Sequence, residues 1–364
     1  MRSPRRRGPP LARQPNRGGT VPRSSRSPVL LLAAAALVAA SIVAPAVAPA
    51  SRAEAAVSTS RLAGADRYAT SVAVSRATPA RNEVVFLVSG VKFPDALAAA
   101  PVAARERAHL LLTHPDRVPD SVMRELARLE PAEIVIVGSE ASISDAVRQQ
   151  LWDSTGARLT RIGGRDRVET SLLLLQRLER ADPMTRAWLV SGRDFPDALV
   201  AASVAGATGG GIVLSWHGTG PGDAAAWADR LAPSVIGVPL VVAGGTPSVP
   251  SSDVALLEAR GALDTVRLAG ANRYETAIAI NRAFPPAGDP SSMLLATGER
   301  FPDALSGAVL SALAGTPLYL SPSQCSGSVT PLLASVASNQ GYTATIGLGS
   351  AAALSDAALR LGPC

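Results

Sequence analysis

Arg61-Leu62-Ala63-Gly64-Ala65-Asp66-Arg67-Tyr68 occurs three times in this chain. It returns as Arg161-Ile162-Gly163-Gly164-Arg165-Asp166-Arg167-Val168 and as Arg267-Leu268-Ala269-Gly270-Ala271-Asn272-Arg273-Tyr274. Downstream of each copy stands Phe-Pro-Asp-Ala-Leu, at Phe93–Leu97, Phe195–Leu199 and Phe301–Leu305. An apolar run ending in Ser89-Gly90, Ser191-Gly192 or Thr297-Gly298 precedes each of these, and a later apolar run ends in Gly138, Gly244 or Gly349. Five identical residues at one relative position in three copies are not coincidence. The chain is a triplication, and its period is too long for a solenoid unit that cannot hold a core alone.

Within the first copy, helical and strand patterns alternate. Arg67–Ala77 reads as a helix, 84–88 as a strand, 94–104 as a helix and 109–113 as a strand. A helix over 119–129 and a strand over 134–137 follow, and Ser142-x-x-Asp145 resembles a capping box opening another helix. The strands are short continuous apolar runs, as expected for parallel strands buried on both faces. Strand–helix alternation implies right-handed crossovers and a parallel sheet. Each copy is thus expected to be a small α/β unit. The segment after Phe-Pro-Asp is small and apolar nearly all round, which marks a buried helix; the equivalent helix of another copy is one candidate neighbour.

Composition limits the function. The 364 residues carry a formal charge of +6, but residues 1–28 hold eight arginines and no acid, which leaves −2 for the remainder. A nucleic-acid binder shows a basic folded face, so that class is disfavoured. The apolar run 29–43, bounded by Pro45 and Pro49 and followed by small residues, reads as an export signal. It is shorter than the roughly 20 residues of a membrane anchor, so the mature chain is expected to begin near Ser51–Val57 without a transmembrane segment. Export favours pairing the two cysteines, Cys325 and Cys364. The three histidines are scattered, and no metal site follows.

The combination of Arg-Leu-x-Gly-x-(Asp/Asn)-Arg, Ser/Thr-Gly-x-x-Phe-Pro-Asp-Ala-Leu and the later apolar–Gly segment resembles the type 2 cell-wall-binding repeat of bacterial surface proteins. The likeness runs over about residues 61–364. It implies three tandem Toprim-like (Rossmann-like) α/β domains packed as a pseudo-three-fold trimer within one chain, a monomer. It also implies attachment to an anionic wall polymer, teichoic-acid-like or polysaccharide, at the cell surface. The expected division is an export segment (1–56) and repeats over 57–160, 161–266 and 267–364. Ala69 stands where the other copies have Glu169 and Glu275, and Val168 replaces Tyr68, so the three sites need not be equivalent.

The chemistry-bearing residues are few. Arg67, Arg167 and Arg273 are the leading candidates to contact polymer phosphates or carboxylates, with Arg61, Arg161 and Arg267 next. Asp95, Asp197 and Asp303 open a helix after proline, where a carboxylate complements the helix dipole. Each could pair with the arginine of its own copy, Arg67 with Asp95 and so on, in a structural role. No phosphate-loop pattern or Gly-x-Ser-x-Gly elbow is present. A single histidine or cysteine cannot serve a triplicated mechanism, so no catalytic residue and no cofactor are expected. The chain reads as a non-catalytic wall anchor. The alternatives are an exported wall hydrolase or Toprim-like metal-dependent phosphotransfer enzyme, and a secreted carbohydrate-binding module.

Overall fold

Short runs such as Val85-Phe86-Leu87-Val88 become central strands because a two-sided helix cover leaves no polar face to satisfy. The computed structural model describes residues 57–92, 94–215, 223–287 and 290–364; the expected export segment and Phe93 lie outside the described residues. The strands are β1 Ser58–Leu62, β2 Val84–Ser89, β3 His109–Thr113, β4 Glu133–Val137, β5 Arg158–Ile162 and β6 Ala187–Val190. They continue with β7 Gly211–Leu214, β8 Pro239–Ala243, β9 Leu263–Leu268, β10 Ser292–Thr297, β11 Leu318–Ser321 and β12 Ala344–Leu348. They form three four-stranded sheets of one topology: β3-β2-β4-β5, β7-β6-β8-β9 and β11-β10-β12-β1. Every pairing is parallel.

The fourth strand of each sheet comes from the start of the next copy. β5 closes the first sheet and β9 the second. The third is closed by β1, with Ser58 opposite Ala344 and Leu62 opposite Leu348. The described chain is therefore sewn into a ring of three α/β units. Each repeated Arg-Leu-x-Gly motif sits at a junction where it completes one sheet and then starts the helix of the next.

Helices Ala99–Arg105, Pro196–Thr208 and Pro302–Ala314 meet one another at the centre. Ala104, Gly206 and Ala312, the ninth residue after each Phe-Pro-Asp aspartate, approach there. A Cβ on Gly206 would lie 2.8 Å from Ala104 Cβ and 3.0 Å from Ala312 Cβ. One apolar core spans all three copies, from Phe86 through Trp188 to Leu320. The helix expected over 94–104 is instead two segments, Pro94–Leu97 and Ala99–Arg105. Pro101 explains the break: it has no N–H to donate, and its ring collides with the carbonyl four residues back, at Leu97. The other copies carry Ser203 and Val309 at this position and stay continuous.

Arg177 ties the first two copies together. Its guanidinium is 2.6 Å from Glu106 and 3.2 Å from Glu133. Burial alone would raise the Glu133 carboxyl, but hydrogen bonds from Arg177 and Thr160 outweigh it and hold it below its ordinary value. At the other end, Cys325 and Cys364 are joined by a disulfide with Cα atoms 5.6 Å apart across a sequence separation of 39. Replacing both cysteines with serine should cost roughly 2–4 kcal/mol by releasing that loop in the unfolded chain. Differential scanning calorimetry should show a melting point several degrees lower; an unchanged one would mean the cross-link does not stabilise the third unit.

Candidate functional site

In an open parallel sheet, ligands bind beyond the carboxyl ends of the strands where the strand order reverses. Here that point lies between the first and third strands of each unit: β2/β4, β6/β8 and β10/β12. A cavity sits at each, closed by the motif after the fourth strand. The first, about 450 Å³, is lined by Lys92 and Asp95 after β2, Ser139 and Ser142 after β4, and Gly164–Arg167 after β5. The second, about 290 Å³, has Asp194 and Asp197, then Gly245 and Ser248, then Gly270–Arg273. The third, about 170 Å³, has Arg300 and Asp303, Ser350, then Gly64–Arg67 of the first copy. Only the first lies clearly within the usual range of small-ligand pockets, about 300–1,000 Å³.

The motif residues are held by local bonds. Asp66 and Asp166 cap their helices, each accepting at 2.7 Å from the N–H of Ala69 or Glu169, while Asn272 accepts from Tyr274 and Glu275. The N–H of Gly64, Gly164 and Gly270 donates to the hydroxyl of Thr70, Thr170 and Thr276. This fixes the arginine that follows. One guanidinium N–H of Arg67 donates to Gly90 O and one of Arg273 to Gly298 O, both at 2.6 Å; Arg167 does the same to Gly192 O.

The aspartates face the next copy's arginine, not their own. Asp95 shares a cavity with Arg167, Asp197 with Arg273, and Asp303 with Arg67. This corrects the expected pairing within a copy: among the described residues no ion pair joins Arg67 to Asp95, Arg167 to Asp197 or Arg273 to Asp303. The reason is the swapped fourth strand, which carries each arginine to the preceding unit. Ser142 also differs from expectation. Its hydroxyl donates to Asp95 Oδ2 at 2.6 Å, and the helix starts later, at Asp145 after Ser144. Gly138, Gly244 and Gly349 all have positive φ (107°, 115° and 95°), and a Cβ on any of them would come within 3 Å of the aspartate Oδ2. Both constraints select glycine.

Arg61, Arg161 and Arg267 lie beneath the cavities. They donate to the carbonyls of Gly349, Gly138 and Gly244 at 2.8, 3.0 and 2.8 Å. Arg61 also pairs with Asp356 at 2.7 Å. Their bonds frame the strand-end glycines, whereas Arg67 and Arg167 present exposed charge.

Burial pushes the Asp197 carboxyl up to about 6, and the charge of Asp194 adds to it, against Arg273 and a bond from Thr276. Burial also raises Asp303, opposed by Arg67 and Arg300. For a carboxyl raised in the folded state, the stabilising contribution is complete below its unfolded value and is lost as pH rises through about 6. Asp197→Asn should therefore raise the melting temperature at pH 7.5, by about 1–2 kcal/mol in stability, and change it little at about pH 3.5, below the unfolded value. Equal shifts at both pH values in thermal melts would contradict this.

Ser75, His109 and Glu125 do bring together a hydroxyl, an imidazole and a carboxylate: Ser75 Oγ is 2.9 Å from His109 Nδ1 and 3.1 Å from Glu125 Oε1. All three are at most 3% exposed, so no substrate reaches them. Arg76 and Arg128 also bond Glu125, making this a core network. Nothing in the sequence pattern singled it out. Among the described residues, no three His, Cys, Asp or Glu side chains are placed to hold a metal ion, and no helix is long and apolar enough to cross a membrane.

Residues 61–148, 161–255 and 267–359 each match the cell wall binding domain 2 (CWB2) family. In sequence the chain is similar to an amidase enhancer of Bacillus subtilis, 31% identical over 69% of this chain and 33% of that protein. It is also similar to the N-acetylmuramoyl-L-alanine amidase LytC of the same organism, 27% identical over 70% of this chain and 48% of that one. The chain thus spans between a third and a half of the curated relatives it matches. Its structure resembles Cwp6 from Clostridium difficile, with a TM-score of 0.73, 25% identity and coverage of 84% of this chain and 48% of that one. Cwp8 from Clostridium difficile is similar at a TM-score of 0.71, with 25% identity over 84% of this chain and 51% of that one.

Proposed function

The chain belongs to the cell wall binding domain 2 family, and from that premise we propose that it is a non-catalytic, exported anchor that holds an anionic wall polymer in its three junction cavities. One observation carries the reading: the same arginine, fixed by the same bonds, stands at the same switch point of all three sheets. A binding function profits from three copies of a surface. A polymer repeats its anionic group, so each contact raises the effective concentration for the next. The guanidinium suits phosphate and carboxylate alike. With −2 on the residues beyond the arginine-rich start, attraction is local to the cavities rather than long-range.

The names of the two Bacillus relatives favour a second reading, a part in wall hydrolysis. The closure of the Ser75–His109–Glu125 network to solvent argues against this chain supplying the catalytic groups. We propose repeat boundaries of 57–160, 161–266 and 267–364, and cleavage of the export segment between about Ser51 and Val57. N-terminal sequencing of protein extracted from the envelope would show whether cleavage occurs there. The binding reading is tested by sedimenting the purified chain with bacterial cell walls before and after chemical removal of their secondary anionic polymers. Most of the protein should pellet before and little after; equal pelleting would remove the polymer as ligand, and none in either case would end the reading.

A further inference from the structure

The three cavities share an arginine and an aspartate but not a charge. The position just before each Phe-Pro-Asp holds Lys92 in the first, Asp194 in the second and Arg300 in the third, and all three side chains line their cavities. Counting lining residues, the first has Lys92, Arg165 and Arg167 against Asp95 and Asp166, an excess of one positive charge. The third has Arg67 and Arg300 against Asp66 and Asp303, which cancel. The second has only Arg273 against Asp194 and Asp197, an excess of one negative charge.

Partnering widens the difference. Neither Lys92 nor Arg167 has an ion-pair partner within 4.0 Å among the described residues, so both remain available to an incoming anion. Arg273 is already 3.8 Å from Asp194. Asp197 Oδ1 is buried with no hydrogen-bond partner, an arrangement that suits a protonated carboxyl better than a charged one.

We propose that the cavities are unequal: the first takes the polymer's anionic group irrespective of pH, whereas the second, with Asp194 in place of a cation, admits an anion only when Asp197 carries a proton. Acidification then recruits a further site and tightens attachment. This rests on the wall-binding reading. The groups facing Asp197 are Asp194 on its own loop and Arg273 and Thr276 on the following helix. Arg267 reaches the Gly244 carbonyl behind it, and Glu275 is turned away onto Ala271 and Asn272. Asp197 titrates near 6, so the transition falls between about pH 7 and pH 5.

The test uses the full chain and purified cell walls that retain their secondary polymers, at constant ionic strength. Wild-type association should tighten roughly three- to tenfold between pH 7.5 and pH 5, the scale of one partly exposed charge contact. Asp197→Asn should bind at pH 7.5 as wild type does at pH 5 and lose the dependence. Asp194→Lys copies the first cavity and should gain a similar factor at pH 7.5. A control without walls separates a gain of binding from aggregation, and comparison at one pH removes titration of the polymer itself. Variants that melt cooperatively, no lower than wild type, and still bind as wild type does at pH 7.5 would overturn the inequality while leaving wall binding intact. Failure of the wild type to bind walls at either pH would overturn the wall-binding reading, and this inference with it.

Discussion

Gly206→Leu should destabilise the protein by more than about 3 kcal/mol, the upper end of what overpacking usually costs. The cause is geometric. Gly206 lies near the end of helix Pro196–Thr208, with Ala104 Cβ and Ala312 Cβ inside van der Waals contact of the position its own Cβ would take. Both neighbours are alanines on buried helices, so no flexible side chain can swing aside, and the Pro101 backbone lies 3.4 Å away. A leucine can enter only by separating the three helices that join the copies. Gly206→Ala provides the calibration. It gains up to about 1 kcal/mol of helix propensity, but its Cβ contacts of 2.8 and 3.0 Å fall on alanine Cβ atoms that can give way only with their helices, so it should still destabilise, by less than leucine does. Urea unfolding followed by near-ultraviolet circular dichroism, which senses the buried Trp188 and Trp227, would read both variants. A leucine variant as stable as the parent would show that the helices do not meet at this residue.

That contact illustrates what the sequence reveals and what it conceals. Triplication, helix–strand alternation and the buried character of the small-residue helix are visible because they follow from residue identity and periodicity. The closing strands are not. Ser58-Thr59-Ser60 in β1 and Leu263-Asp264-Thr265 in β9 lie at sheet edges, where one flank faces solvent and no apolar run is required. Without them nothing indicates that each sheet borrows a strand from the next copy. Three copies of Arg and Asp are equally compatible with pairing inside a copy or with its neighbour, since repetition specifies the partner's type and not its number. Ser142 was hidden for a related reason. Its spacing to Asp145 fits a helix cap, and only the fold brings Asp95, 47 residues back in sequence, to its hydroxyl.

Replacing Arg67, Arg167 and Arg273 together by glutamine should weaken wall association on the order of a hundredfold, far more than any single replacement. Each arginine bears on one cavity, and on a rigid ring three modest contacts multiply through effective concentration, which can add 10²–10⁴ in avidity. Among the single variants Arg167→Gln should cost most, because its cavity is the largest and its guanidinium has no ion-pair partner among the described residues. Arg273→Gln should cost least at neutral pH, since Asp194 already engages that side chain. Salt should act in the same direction, as contacts between exposed charges are screened within about 10 Å at 0.1 M. The three arginines also bond Gly90, Gly192 and Gly298, so a lost contact could reflect a loosened loop. Arginine-to-lysine replacements separate the two roles: they keep the charge but give up the planar fork. If charge governs attachment, the lysine triple variant should retain much of the binding and the glutamine triple variant little, with both melting near wild type. A glutamine variant that stays folded and still sediments fully with walls would take these arginines out of the site.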